Sequence, residues 1–411
     1  MTAAPRLKKK NCVFPAPVDG EKLPDLLKVA VMYGPNASGK SNFMLALDLV
    51  DRVARRRADM PGVLPVTPFR FDPKLKDEPS TFEIHFLAKR CRYEFLLSLT
   101  KDRIVHERLT SYPKGAERVL YDRKLIDNAE VYETDGLEGG KELHEAWKRL
   151  TPHRALFISQ VVASSSDDLR ELAIPHGWLT GALFSFGSKR ISHIAERSLH
   201  LARDKDDGEA YSAEIAAFLS DVDVPVTRIQ VAQPEPEPEL DPELDPVRRN
   251  ALVRLGLSES PRSPQPARRA AVFTHSTALG QAEFAFDEES EGTQNLVGFW
   301  LPWSTRTPGD IHTQCILAVD ELDSSLHPAI VANLVKKHIE AETPSQLIFT
   351  THDTHLMDSG LLRRDQFWIA ERNKDGATEL RSIHDFLGRE GEDIEKRYFE
   401  GRYRGLPLVR G

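Results

Sequence analysis

Apolar residues follow two rhythms along this chain. "KVAVMY" (28–33), "CILAV" (315–319) and "QLIFTT" (346–351) are short, mainly apolar runs, the pattern of strands covered on both faces of a parallel sheet. "STFEIHFLA" (80–88) and "RYEFLLSLT" (92–100) alternate apolar with polar residues and predict two strands joined by a hairpin at Lys89-Arg90. Helical spacing takes over in "SNFMLALDLVDRVARRR" (41–57), and again in "KELHEAWKRL" (141–150), "ISHIAERSLHLARD" (191–204) and "AYSAEIAAFLSDV" (210–222). Near the end, "CILAVDE", the helical "PAIVANLVKKHIEAE" (328–342), "QLIFTTHD" and "QFWIAER" alternate strand with helix. The pattern predicts an α/β chain in four parts: an α/β portion over 1–100, a mostly helical insertion over 101–228, a linker over 229–270 and a second α/β portion over 271–411.

The linker is set apart by composition. Between Gln233 and Pro246 stand five prolines and six acidic residues, which remove backbone donors and leave nothing to bury. A basic, Pro/Ser-rich stretch, "VRRNALVRLGLSESPRSPQPARR", follows and offers the opposite charge.

At 411 residues the chain has room for about two or three structural units. With 40% hydrophobic and 29% charged residues it reads as globular. No apolar stretch approaches the ~20 residues that span a bilayer, and the basic N-terminus is not followed by the apolar core of a signal peptide, so the expected location is the cytoplasm. Cys12, Cys91 and Cys315 are odd in number and far apart, which supports neither a disulfide framework nor a thiolate metal site. The net charge of −8 argues against a protein basic all over, leaving local patches such as Arg55-Arg56-Arg57 as solvated helix face or phosphate-backbone contact.

"GPNASGKS" (34–41) lies between a strand and a helix, the context that gives G-x-x-x-x-G-K-[ST] its physical meaning. Gly34 and Gly39 let the backbone curl, and the amides of Pro35-flanked Asn36, Ala37 and Ser38 can then face phosphate oxygens at the start of a helix that continues through Asn42. Lys40 can reach β- and γ-phosphates, and the Ser41 hydroxyl can ligate Mg2+. Asp320 and Glu321 follow the strand "CILAV", at the edge where α/β sheets bind ligands. There Asp320 would hold Mg2+ through water and Glu321 would act as general base. His352 closes "QLIFTTH" and can sense a γ-phosphate; with His355 it also invites a metal reading, for which no third ligand stands at a telling spacing. Ser290 and Gly292 open a helical run whose Leu296, Val297, Trp300 and Leu301 form one stripe, readable as a second phosphate device or as a plain helix cap.

Taken in order, "YGPNASGKSN", "ESEGTQ", "VDELDSSLHP", "TTHD" and "FEGRYRGLPLV" resemble the ABC-type ATPases of the SMC, RecF and OLD group, and more closely the stand-alone AAA/ABC ATPases of bacterial abortive-infection and anti-phage systems. The resemblance implies a P-loop NTPase fold with an ABC-type head, a mixed sheet flanked by helices and an inserted helical subdomain, working on ATP and Mg2+. It implies that Ser290, Glu291, Gly292 and Thr293 form a signature loop facing the nucleotide of a second protomer, and that Ser324, Ser325, Leu326 and His327 form a loop crossing the interface of an ATP-sandwiched homodimer. Such a protein would hydrolyse ATP and govern a separate effector, a nuclease or toxin, or sense nucleic acid in phage defence. A DNA-repair or chromosome-handling ATPase and a slow-turnover ATP-gated scaffold are the alternatives; the absence of a long heptad series weighs against a coiled-coil rod. Two departures stand out: "TFEIHF" offers Glu83 and His85 where the group has a glutamine, and no opening strand is evident at the N-terminus.

Overall fold

Val29–Tyr33 is buried at every residue, as expected of a strand with neighbours and cover on both sides. It lies inside a six-stranded sheet whose order is Thr378–Ser382, Phe367–Arg372, Val29–Tyr33, Ser345–Thr350, Cys315–Val319, Leu183–Phe186. Only the outermost pair, Phe367–Arg372 with Thr378–Ser382, is antiparallel. The sheet is therefore mixed, as the resemblance implies. The structure is a computed structural model and describes residues 1–165, 170–186, 188–203, 206–232, 270–303, 315–358, 360–388 and 392–406. Most of the 229–270 linker and the last residues of "FEGRYRGLPLV" lie outside them.

The helix Lys40–Ala54 covers one face of the sheet: Met44 packs with Ala30 and Met32 of the central strand and with Ala318 and Ile348 of its neighbours. Its opposite side, through Leu49, Val50 and Val53, enters a larger core shared with Phe95, Leu97, Leu109, Tyr121, Trp147, Phe157 and Trp178. Phe86 and Trp178 stack there at 4.1 Å between centroids.

That core is roofed by a five-stranded antiparallel meander: Ser80–Ala88, Cys91–Leu99, Ile104–Tyr112, Arg118–Ile126 and Ala129–Glu133. Lys89 and Arg90 both adopt positive φ, 47° and 62°, in the tight turn of its first hairpin. The last three strands correct the expectation of a mostly helical insertion from 101 onward, as does the edge strand Leu183–Phe186. Charged residues at inward positions hide the alternation: Glu107 is 0% exposed and Arg123 1%. Glu107 accepts from Tyr121 Oη at 2.7 Å and from the amides of Phe157 and Ile158 at 2.7 and 3.1 Å, and thereby caps the helix Phe157–Ser164. Arg123 lies 3.5 Å from the same carboxylate. Helices do follow, at Lys141–Leu150, Phe157–Ser164 and Ala173–Gly181. The N-terminus also holds the short pair Val13–Phe14 and Leu26–Leu27, an opening strand that two residues of length leave invisible to periodicity.

These elements belong to one compact unit, residues 1–187, 308–323 and 327–411; residues 188–307 and 324–326 form another. Within the second, the helix Glu291–Trp303 packs on the helix Ser188–Ala202, and Gly298 meets the Ile191 carbonyl so closely that a Cβ would sit 2.8 Å from it. Helix Gly208–Ser220 lies against a three-stranded antiparallel sheet, Val226–Val231, Ala271–Thr277 and Gly280–Ala285.

Candidate functional site

Three parallel strands that are neighbours in the sheet, Val29–Tyr33, Ser345–Thr350 and Cys315–Val319, end on the same edge. The loop from Gly34, the carboxylates from Asp320 and the segment Thr351-His352 follow directly from these ends, in the crevice where such sheets bind ligands.

The loop is shaped by its two glycines. Gly34 has φ 151° and a Cβ there would lie 2.3 Å from the Ala370 carbonyl oxygen of the adjoining strand; Gly39 has φ 99°, where a Cβ would lie 1.9 Å from Thr378 Oγ1. Between them Pro35, Asn36, Ala37 and Ser38 make the bend, with Ala37 at φ 62° and Thr378 Oγ1 donating to the Ser38 carbonyl at 2.8 Å. Gly39 precedes the helix without any side-chain cap; its carbonyl accepts from the amides of Asn42 at 3.1 Å and Phe43 at 3.3 Å, which leaves the amides of Lys40 and Ser41 open toward the loop. Ser38 Oγ is buried and has no hydrogen-bond partner. Ser41 and Asn42 are exposed on the helix's first turn.

Lys40 is 7% exposed; its ammonium donates to the carbonyls of Gly34 at 2.8 Å and Pro35 at 3.2 Å. Burial pushes its pKa below the usual lysine value, opposed by the charges of Asp320, Glu321 and Asp323. Those three carboxylates, about 280 residues away in sequence, thus share one electrostatic site with the loop. Asp320 Oδ1 accepts from Thr350 Oγ1 at 2.7 Å, and the same hydroxyl oxygen accepts from the Glu321 amide, also at 2.7 Å. Glu321 adopts φ 54°, a left-handed conformation costing about 1 kcal/mol or more for a residue with a Cβ. Its exposed side chain leaves the strand edge in a direction that extended backbone would not give. Asp323 Oδ2 accepts from the His352 amide at 3.1 Å, while Oδ1 is buried without a partner. His352 itself is exposed. The His355 ring pairs with Asp353, and no group of metal-binding side chains occurs among the described residues.

In the second unit Ser290 Oγ caps the helix that follows, accepting from the Thr293 amide at 3.2 Å and lying 2.9 Å from Thr293 Oγ1. The cap reading therefore holds; a hydroxyl that accepts one bond can still donate another. A Cβ on Gly292 would sit 2.5 Å from the Ser325 carbonyl oxygen, Ser325 Oγ donates to Glu291 at 2.9 Å, and Asn295 Nδ2 reaches the Ser324 carbonyl at 3.4 Å. Ser290–Thr293 and Ser324–Ser325 are thus one packed structure.

Sequence reasoning missed Thr350 and Thr378, whose roles depend on partners 30 and 340 residues away. Glu83 and His85 bond each other at 2.8 Å on the outermost strand of the meander. The Arg55-Arg56-Arg57 run is engaged locally: Arg55 with Asp51, Arg57 with Asp59, and Arg56 with the carbonyls of Met60, Pro61 and Gly62. No helix among the described residues is long and apolar enough to cross a membrane.

A curled loop between strand and helix, with acidic residues at the end of a nearby parallel strand, defines an α/β head of the P-loop ATPase type. The chain belongs to the family described as AAA domain, putative AbiEii toxin, Type IV TA system, whose model matches residues 29–358. This is the abortive-infection kinship that its motifs resemble. No curated protein matches the sequence. Among solved structures the chain is similar to an SMC head bound to the C-winged helix domain of ScpA, at 12% identity over 89% of this chain and 94% of that one, with a TM-score of 0.37. It is likewise similar to the SMC head domain from Thermotoga maritima, at 13% identity, 90% and 97% coverage and a TM-score of 0.34.

Proposed function

We propose that this protein is a Mg-dependent ATPase that dimerises on ATP and uses hydrolysis to control a separate effector, a nuclease or toxin, in anti-phage defence. The observation that carries the reading is the buried Lys40 ammonium lying in the fields of Asp320, Glu321 and Asp323 at the mouth of a glycine-shaped loop. Open amides, a buried cation and an unpartnered Ser38 hydroxyl suit a triphosphate, and a site this acidic needs a cation to accept one.

Bound Mg–ATP would supply the phosphoryl group and the metal charge that neutralises it. Backbone amides from Asn36 to Ser41 and the Lys40 ammonium hold phosphate oxygens, the Ser41 hydroxyl and Asp320 hold the cation, and Asn42 flanks them. Glu321 accepts a proton from, and orients, the attacking water; His352, anchored through its amide to Asp323, donates toward the terminal phosphate. Positioning and charge neutralisation account for catalysis here. Ser290, Gly292 and Thr293 of one copy close over the phosphates bound by another, so that ATP joins a homodimer and hydrolysis loosens it.

Lys40→Ala is expected to abolish ATP binding, and Glu321→Gln to bind ATP, stop turnover and accumulate dimers. Phosphate release and light scattering test both; a Lys40→Ala protein with wild-type turnover refutes the loop assignment, and a Glu321→Gln protein with wild-type turnover removes Glu321 as base. Purification of the Glu321→Gln protein with ATP, followed by identification of the retained protein, tests effector control; retention of duplex DNA alone favours the DNA-handling alternative.

A further inference from the structure

The phosphate loop opens on one side into a cleft of about 640 Å³ that nothing so far assigns. Ala37, Gly39 and Asn42 of the loop and helix line its inner end, and Leu45 and Ala46 continue along the same helix face. The far wall is aromatic: Phe69 and Phe71, with ring centroids 5.7 Å apart, come from the segment between the loop helix and the meander. The hairpin Arg372–Thr378 closes the third side. Its Arg372 guanidinium carbon stands 4.9 Å from the centre of the Phe71 ring, and Gly376, at φ 82°, lets the turn approach so closely that a Cβ would lie 3.1 Å from both Phe71 Cδ2 and Arg372 Nη2. Phe71 is 68% exposed, so one of the chain's larger apolar rings is held in place at the surface by a cation and a glycine turn rather than buried.

We propose that this cleft takes the purine base and ribose of the bound nucleotide, with Phe71 and Arg372 as its stacking platform. The proposal rests on the nucleotide reading above and extends it to the part of the ligand that the phosphate loop cannot hold. Three features argue for it. The volume falls in the range of small-molecule sites, about 300–1,000 Å³. The cleft is continuous with the loop, because Ala37, Gly39 and Asn42 belong to both; a triphosphate seated on residues 34–41 therefore has its nucleoside end at the cleft mouth. A flat π-face with a guanidinium beside it is chemistry suited to a base, through stacking and cation–π attraction. A neighbouring cleft of about 690 Å³ shares Val66–Pro68 and Arg70 but is lined by no residue of the loop. Stacking is tolerant of base identity, so ATP and GTP are expected to bind within a few-fold of each other.

The test separates base from phosphate by calorimetry with two probes, Mg–ATP and Mg–inorganic triphosphate, on the full chain. Phe71→Ala and Arg372→Ala are each expected to weaken ATP about tenfold or more while leaving triphosphate unchanged. Ala46→Trp, which fills the cleft from the helix, is expected to do the same, and Lys40→Ala to weaken both probes. ATP affinity within twofold of wild type in Phe71→Ala and in Ala46→Trp, with Lys40→Ala impaired, overturns the base site and leaves the phosphate site standing. Equal loss of both probes in Phe71→Ala makes the ring a support for the loop and also overturns the proposal. Lys40→Ala binding both probes like wild type overturns the phosphate reading and this one with it.

Discussion

Thr350→Val isolates one hydroxyl at the centre of the acidic edge. Thr350 is 0% exposed, and its Oγ1 donates to Asp320 Oδ1 and accepts from the Glu321 amide, each at 2.7 Å. Valine keeps the shape and removes both bonds. An unpaired, part-buried amide costs about 1–3 kcal/mol and the lost donor to a carboxylate adds a similar amount, so roughly 2–6 kcal/mol of local stability disappears. That sum exceeds the strain of about 1–3 kcal/mol that holds Glu321 at φ 54°. Without the threonine the balance tips toward relaxed backbone, and the Glu321 carboxylate swings away from the position proposed for it beside the attacking water. Displacement of a reacting group by ~1 Å can cost ~100-fold in rate. The expected result in a phosphate-release assay is a fall in kcat of about 100-fold, with ATP affinity within about threefold of wild type because Lys40 and the glycine loop are untouched. Thr350→Ser, which restores the hydroxyl, recovers most of the rate. Turnover within twofold of wild type in a well-folded Thr350→Val protein would refute the claim that this hydroxyl sets the carboxylate geometry.

Two further outcomes follow from other parts of the molecule. Gly292→Val places a side chain against the Ser325 carbonyl, 2.5 Å from the ideal Cβ position, and is expected to abolish ATP-dependent dimers in the Glu321→Gln background while nucleotide still binds; dimers by light scattering at wild-type levels would contradict the shared Gly292–Ser325 structure as an interface element. His338 is buried, and burial lowers its pKa to about 4 from an ordinary value of 6.5. The unfolded chain therefore takes up a proton that the folded one refuses: this contribution to stability is complete above pH 6.5 and is lost at about 1.4 kcal/mol per pH unit as pH falls toward 4. Denaturant titrations across that range should show the slope, and His338→Gln should flatten it by about one proton.

The phosphate loop was legible because its chemistry is local: two glycines, a lysine and a serine within eight residues, between an apolar run and a helical one. Asp320 and Glu321 were legible for the same reason, directly after "CILAV". What escaped was long-range. Thr350 and Thr378 look like ordinary strand threonines until the sheet brings them to Asp320 and Ser38. The left-handed turn at Glu321 has no glycine to announce it. The strands between 104 and 133 hide from period-two reasoning because Glu107 and Arg123 occupy inward sites that it expects to be apolar. Leu183–Phe186 is only four residues long and borrows its identity from Cys315–Val319 beside it.

The buried Glu107 has a consequence for how this protein comes apart. It fixes the start of helix Phe157–Ser164, and Ser159 of that helix donates to the Ala54 carbonyl, at the last residue of the phosphate-loop helix. One carboxylate thus fastens the outer meander to the end of the helix Lys40–Ala54. The meander and the helix should melt in a single step, protect one another's amides from exchange with solvent, and resist being prepared as separate fragments.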